Sequence, residues 1–381
     1  MARRARESEL PLGGLPFAVK DNIDVAGVPT TAGCPAFART PAEPAAAVEL
    51  LVEAGAVPIG KTNLDQFATG LVGARTPYGA CVSVVDPRLV SGGSSSGSAV
   101  VVADGTVPFA LGTDTAGSGR VPAACNGIVG LKPTRGLLST RGVVPACRSL
   151  DCVSLFTRDV GDLAPVLGVV ARRDPADPWS RDAPVPQRAP EAIAIPRRPE
   201  FAGDVGAARA WEEALAAARA VGWTLVEVDA EPFLEAGRLL YEGPWVAERD
   251  AAVGAFIARH PGAVDPIVAA IVRGAAGQTA TDAFRGIHRL AELRLEWDRT
   301  WELAGALMVP SVPTIPTHAQ VAQEPFATSA MLGTYTNGAN LLDLCAVAVP
   351  CPTRPDGMPF GVTFLAPAGA DARLLALAAE W

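Results

Sequence analysis

Short apolar runs that close on proline or glycine alternate along this chain with amphipathic helical segments, a pattern that points to an α/β fold with a largely buried sheet. Pro44 to Ala54 carries apolar residues at helical spacing and stops at Gly55, a residue suited to a helix C-cap. Ala56 to Ile59 then reads as a short buried strand. Ala207 to Val221 is an Ala-rich amphipathic helix closed by Gly222, with a strand expected over Trp223 to Val228. Asp282 to Ala306 keeps a helical period among many charges and reads as a surface helix. Leu307 to Val309 and Cys345 to Val349 read as interior strands that end at prolines.

At 381 residues the chain exceeds the ~250–300 at which one hydrophobic core usually stops growing, so it holds one large domain or two ordinary ones. Residues 172–199, rich in Pro, Arg and Asp, are the one candidate linker. Apolar sequence resumes on both sides of it, which favours an excursion within one domain. The net charge of −8 disfavours a general nucleic-acid or anionic-membrane binder, because phosphate contacts are made by Lys and Arg. No apolar h-region follows the charged stub MARRARESE, and no run is long enough to span a bilayer. Seven cysteines without a CxxC pair are expected to be reduced and mostly buried, as in a cytoplasmic protein. With only His260, His288 and His318 present, His-rich metal sites are disfavoured.

Two serine- and glycine-rich segments stand out. Ser91 to Ser98 runs straight into the apolar Ala99–Ala103, which a solvated linker would not border so abruptly. Gly112 to Arg120 follows the strand-like Val107 to Leu111 and sets Ser118 among small residues. Such a turn either is a tight glycine turn or leaves backbone N–H groups free beside a nucleophile, as acyl transfer requires. A serine nucleophile needs a base, and a lysine can serve once burial lowers its pKa. Among Lys20, Lys61 and Lys132, Lys20 is the best placed, because it closes the apolar run Leu15–Val19 just before Asp21-Asn22.

Gly92-Gly93-Ser94-Ser95-Ser96-Gly97-Ser98, followed by Gly112 to Arg120 with Ser118 placed 24 positions after Ser94, resembles the amidase signature family. Val19-Lys20-Asp21-Asn22 matches the segment that holds the family's catalytic lysine, and the resemblance extends from Gly14 to about Ala379. It implies a mixed, mostly parallel sheet flanked by helices on both faces, formed by a single domain over residues 1–381. It also implies that Ser118 is the acylated nucleophile and that neither a metal nor an organic cofactor takes part. Ser94, joined to Gly93 by a cis peptide bond, would relay a proton between Ser118 and neutral Lys20. The backbone N–H groups of Thr115, Ala116, Gly117 and Ser118 would form the oxyanion hole, and Ala68 would line the acyl pocket.

Within the family, Gly60 to Gly70, Leu138 to Pro145 and Tyr241 to Arg249 look like the allophanate hydrolase branch. There the matching Tyr241 and Arg249 would hold a substrate carboxylate, with Pro244 opening a helix and Arg249 one turn in. The expected activity is hydrolysis of the terminal amide of allophanate, releasing ammonia and N-carboxycarbamate. A carboxybiuret-like or malonamate-like substrate, or a non-catalytic subunit keeping the fold, are the alternatives. The chain departs from the family at three places. N-terminal helices that often support dimerisation are reduced to a stub, which leaves a homodimer open. No C-terminal decarboxylation domain is expected. Asn337 to Asn340 carries small residues where relatives are bulkier, which would enlarge a pocket or loosen packing.

Overall fold

The computed structural model describes residues 10–185 and 189–381, so the basic stub lies outside the described residues. Its strands are β1 Pro16–Lys20, β2 Val57–Thr62, β3 Phe109–Asp114, β4 Val129–Lys132, β5 Cys152–Thr157, β6 Ile193–Pro196, β7 Leu225–Val228, β8 Ala306–Pro310, β9 Leu344–Pro350 and β10 Gly361–Pro367. The helices from the N-terminal half are α1 Ala46–Glu53, α2 Ser96–Ala103, α3 Val121–Asn126 and α4 Leu163–Val170. They are followed by α5 Val205–Val221, α6 Glu231–Arg238, α7 Val246–Arg249, α8 Ala255–Arg259, α9 Pro266–Arg273 and α10 Ala280–Asp298. Last come α11 Thr300–Leu303, α12 His318–Gln323, α13 Pro325–Leu332, α14 Asn337–Leu341 and α15 Asp371–Glu380.

The strands form one sheet in the order β2-β1-β3-β5-β4-β9-β10-β8-β6-β7. The α/β class and the mixed sheet agree with the sequence reading, but "mostly parallel" needs correction. β2-β1-β3 and β8-β6-β7 are parallel trios at the two ends, and every pairing between them is antiparallel. Successive side chains of a strand point to opposite faces, so a doubly covered strand must be apolar throughout. In β9, Cys345, Val347 and Val349 join the core beneath α1, α4, α5 and α15. Leu344 and Ala346 enter the opposite core, built on α6, α10 and α14.

Several expectations shift when seen in three dimensions. β2 is an edge strand and not a buried one, with Ile59 53% exposed. α5 matches its reading closely: Asp204 accepts from the Ala207 N–H at its start, and Gly222 at φ +99° closes it. The helix expected over 282–306 instead breaks at Asp298, and Gly305 N–H bonds to the Ala192 carbonyl, beginning β8. Nor is α10 simply a surface helix, since Leu290, Leu293 and Trp297 are buried. Residues 172–185 fold back on the body, where Asp174 and Asp177 accept from Ser139, Thr140 and Arg141. The small residues of α14 do not loosen packing, although Asn337 at its start lines a cavity. A side chain at Gly338 would strike Phe233 of α6, so α14 sits hard against that helix.

Candidate active site

β2, β1 and β3 run parallel, so their carboxyl ends share one edge, the usual place for a ligand in an α/β sheet. Lys20 ends β1 there and is fully buried. β3 ends there too, turning through residues 115–120 into α3, while Ser91–Ser95 leads into α2 beside it. Lys20 Nζ donates to Ser94 Oγ at 2.8 Å and to Thr113 Oγ1 at 2.7 Å. Ser94 Oγ donates to Ser118 Oγ at 2.9 Å. The Gly93–Ser94 peptide bond is cis. Both hydroxyls are buried, so the chain Lys20–Ser94–Ser118 is dry and continuous.

Burial brings the Lys20 ammonium down to a pKa of about 7, although the carboxylates of Asp65, Asp114 and Asp151 pull the other way. Near neutral pH a large fraction of Lys20 is therefore uncharged and can accept a proton. Arginine in its place could not.

The turn carrying Ser118 is braced from below. Arg120 clamps Asp114 through two hydrogen bonds of 2.9 Å, both side chains being wholly buried. Burial would raise the Asp114 carboxyl, but Arg120, with Lys132 and the Gly119 N–H, holds it below the usual range. The remaining Arg120 donors reach Thr336 O at 2.9 Å and Asn340 Oδ1 at 3.0 Å. Gly117 has φ +147°, and a Cβ there would collide with the Thr336 side chain, so the turn demands glycine. The N–H groups of Thr115, Ala116, Gly117 and Ser118 meet no acceptor among the described residues.

A second wall comes from the C-terminal half. Tyr241 precedes α7 and Arg249 ends its first turn, as the position of Pro244 implies. Arg249 is 1% exposed, forms no salt bridge among the described residues, and has a buried Nε without a partner. Its Nη1 donates to Thr69 Oγ1 at 2.9 Å and to Ala68 O at 3.4 Å, and its Nη2 donates to the Tyr241 hydroxyl at 3.1 Å. Its charge adds to the lowering of the Lys20 pKa, so the two cations feel each other. Phe67 and Ala68 both take positive φ, near +50°, and this bend presents the Ala68 carbonyl to the guanidinium.

Sequence reading missed three supporting groups. Thr113 Oγ1 accepts from both Lys20 and Asn22. Asp151 accepts from Thr115 Oγ1 at 2.5 Å and from the N–H groups of Ala146 and Cys147. Burial raises the Asp151 carboxyl above its ordinary range. Thr69 anchors Arg249. Thr113 and Thr69 lie inside segments already singled out, but nothing in their spacing marks them. Asp151 had no signal at all.

The amidase family model matches residues 1–375. A urea amidolyase of Lachancea kluyveri is 47% identical over 98% of this chain, which spans only 21% of that protein. The structure of Kluyveromyces lactis allophanate hydrolase superposes with a TM-score of 0.96 at 46% identity, over 99% of this chain and 64% of that one. A glutamyl-tRNA(Gln) amidotransferase chain from a Synechococcus species is 34% identical over 98% of this chain and 84% of its own length. A whole-length family match, joined to a fold shared at that TM-score, places the chain in the amidase family.

Proposed function

We propose that this chain hydrolyses the terminal amide of allophanate through an acyl-enzyme on Ser118. The observation that carries this reading is the buried Arg249 guanidinium without a counter-ion, beside a serine–serine–lysine relay. An unpaired buried charge costs several kcal/mol, and a bound carboxylate relieves that cost. The Arg249 fork and the Tyr241 hydroxyl suit a carboxylate at one end of a short substrate, which leaves the amide at the other end for Ser118. The resemblance to allophanate hydrolases supports the choice within that class.

In this mechanism Ser118 Oγ attacks the amide carbonyl as its proton passes to Ser94 Oγ, whose own proton passes to neutral Lys20. Hydroxyl protons rotate freely, so the relay runs in either direction. The oxyanion is met by N–H donors of residues 115–118, held by the Asp114–Arg120 clamp and by Asp151. Lys20 returns its proton through Ser94 to the departing nitrogen, and ammonia leaves. Water, deprotonated along the same relay, then opens the carbamoyl-type ester. One allophanate and one water give ammonia and N-carboxycarbamate, which loses carbon dioxide.

The same reading makes the chain one amidase domain serving urea degradation in the cytoplasm, with a small-molecule substrate and assembly as a homodimer. No helix of the described residues is long and apolar enough to cross a membrane. A coupled ammonia assay tests the activity. Wild type releases ammonia from allophanate and Ser118→Ala does not; turnover retained by folded Ser118→Ala would end the proposal.

A further inference from the structure

A cavity of about 910 Å³ adjoins the candidate site and shares Tyr241 with it. Its other walls come from α6, α9, α13 and residues 196–200, and it is far larger than one small ureido carboxylate requires. Two lining residues are incompletely satisfied. Arg75 is 4% exposed and donates to Thr69 O at 3.3 Å and Pro325 O at 2.7 Å, yet its buried Nε has no partner. It forms no salt bridge among the described residues, so it too is a buried cation without a paired carboxylate. Asn337 contributes a buried Oδ1 that accepts no hydrogen bond.

Arg75 and Arg249 brace opposite groups of one residue. Arg249 holds the Thr69 hydroxyl, and Arg75 holds the Thr69 carbonyl. The cavity rim mixes signs, with Arg197 and Arg198 against Glu200, Asp229 and Glu242, so it provides no net pull on an anion. Selection within the cavity therefore rests on the buried pair: a guanidinium that lacks an anion, and an amide oxygen that lacks a donor.

We propose that Arg75 and Asn337 form an outer subsite that binds a small amide or ureido carboxylate on its way to Arg249. The carboxylate pairs with Arg75 and an N–H of the ligand donates to Asn337 Oδ1. Tyr241, common to the cavity and the inner site, separates the two positions. The inference rests on the proposed function only for the identity of the substrate.

Calorimetric titration with malonate, a carboxylate probe that is not hydrolysed, tests it. Two malonate sites per chain are expected in wild type. Arg249→Met should lose one and Arg75→Met the other. Ala270→Trp fills the cavity from an exposed position on α9 and leaves the bonds of Arg75 intact, so it should lose the same site as Arg75→Met. With allophanate, both outer variants should slow substrate entry and lower kcat/KM about tenfold, with a much smaller change in kcat. A single malonate site removed only by Arg249→Met, with kcat/KM unchanged in Ala270→Trp, would overturn the proposal. Two malonate sites in a protein that does not turn over allophanate would keep the outer subsite and remove the assigned substrate instead.

Discussion

Lys20 and Arg249 are both cations with almost no access to water, and they respond to burial in opposite ways. Lysine can shed its proton, and its lowered pKa turns it into a base; arginine cannot, and it stays charged until an anion arrives. Activity should therefore rise with pH through about 7 and level off above it, because protonated Lys20 cannot accept a proton from Ser94. Lys20→Ala should abolish ammonia release. Arg249→Met should raise KM for the carboxylated substrate and, since Arg249 helps lower the Lys20 pKa, move the acid limb of the pH–rate profile upward. A profile that stays in place would show that the two charges are not coupled. At this scale Lys20, Ser94, Ser118, Tyr241 and Arg249 were legible because each sits in a contiguous motif. Thr113 was not, because its partner Lys20 is 93 residues away, and Asp151 sits outside every motif, with Thr115 36 residues before it.

Among the elements, the turn between β3 and α3 bears the functional weight. It needs glycine at Gly117, a clamp beneath it, and α14 packed closely enough to bring Asn340 to Arg120. Arg120→Met leaves Asp114 buried and unpaired, a defect worth about 3–5 kcal/mol. Thermal melting should show a large loss of stability, and any folded fraction should be nearly inactive; an unchanged Tm would rule out the clamp. The sequence identified α5 well, because its cap residues and its apolar stripe agree. It misjudged β2 and the end of α10 because apolar content alone distinguishes neither a central strand from an edge strand nor the last turn of a helix from the following strand. The small residues of α14 looked like looseness and proved to be close contact, since composition does not reveal what lies opposite.

Across the whole molecule, one sheet joins both halves of the chain. In the proposed mechanism the parallel β2-β1-β3 edge carries the chemistry and α7, from the second half, carries recognition. The alternation of elements announced the layers but not strand direction, which is set by crossovers that periodicity does not record. On the proposed single-domain reading, the chain should unfold in denaturant with coincident loss of helical circular dichroism and tryptophan fluorescence. Trp211 and Trp297 report from the two opposite cores, so separate transitions would indicate two folding units. In the proposed function, a buried, unpaired guanidinium selects a carboxylated amide for Ser118. The most direct test is kcat/KM for ammonia release from allophanate against that from biuret, its uncharged counterpart, in wild type and Arg249→Met. Wild type should prefer allophanate by roughly 100-fold or more, and the preference should collapse in the variant; equal rates on both substrates, or a preference that survives the loss of Arg249, would contradict selection by this guanidinium.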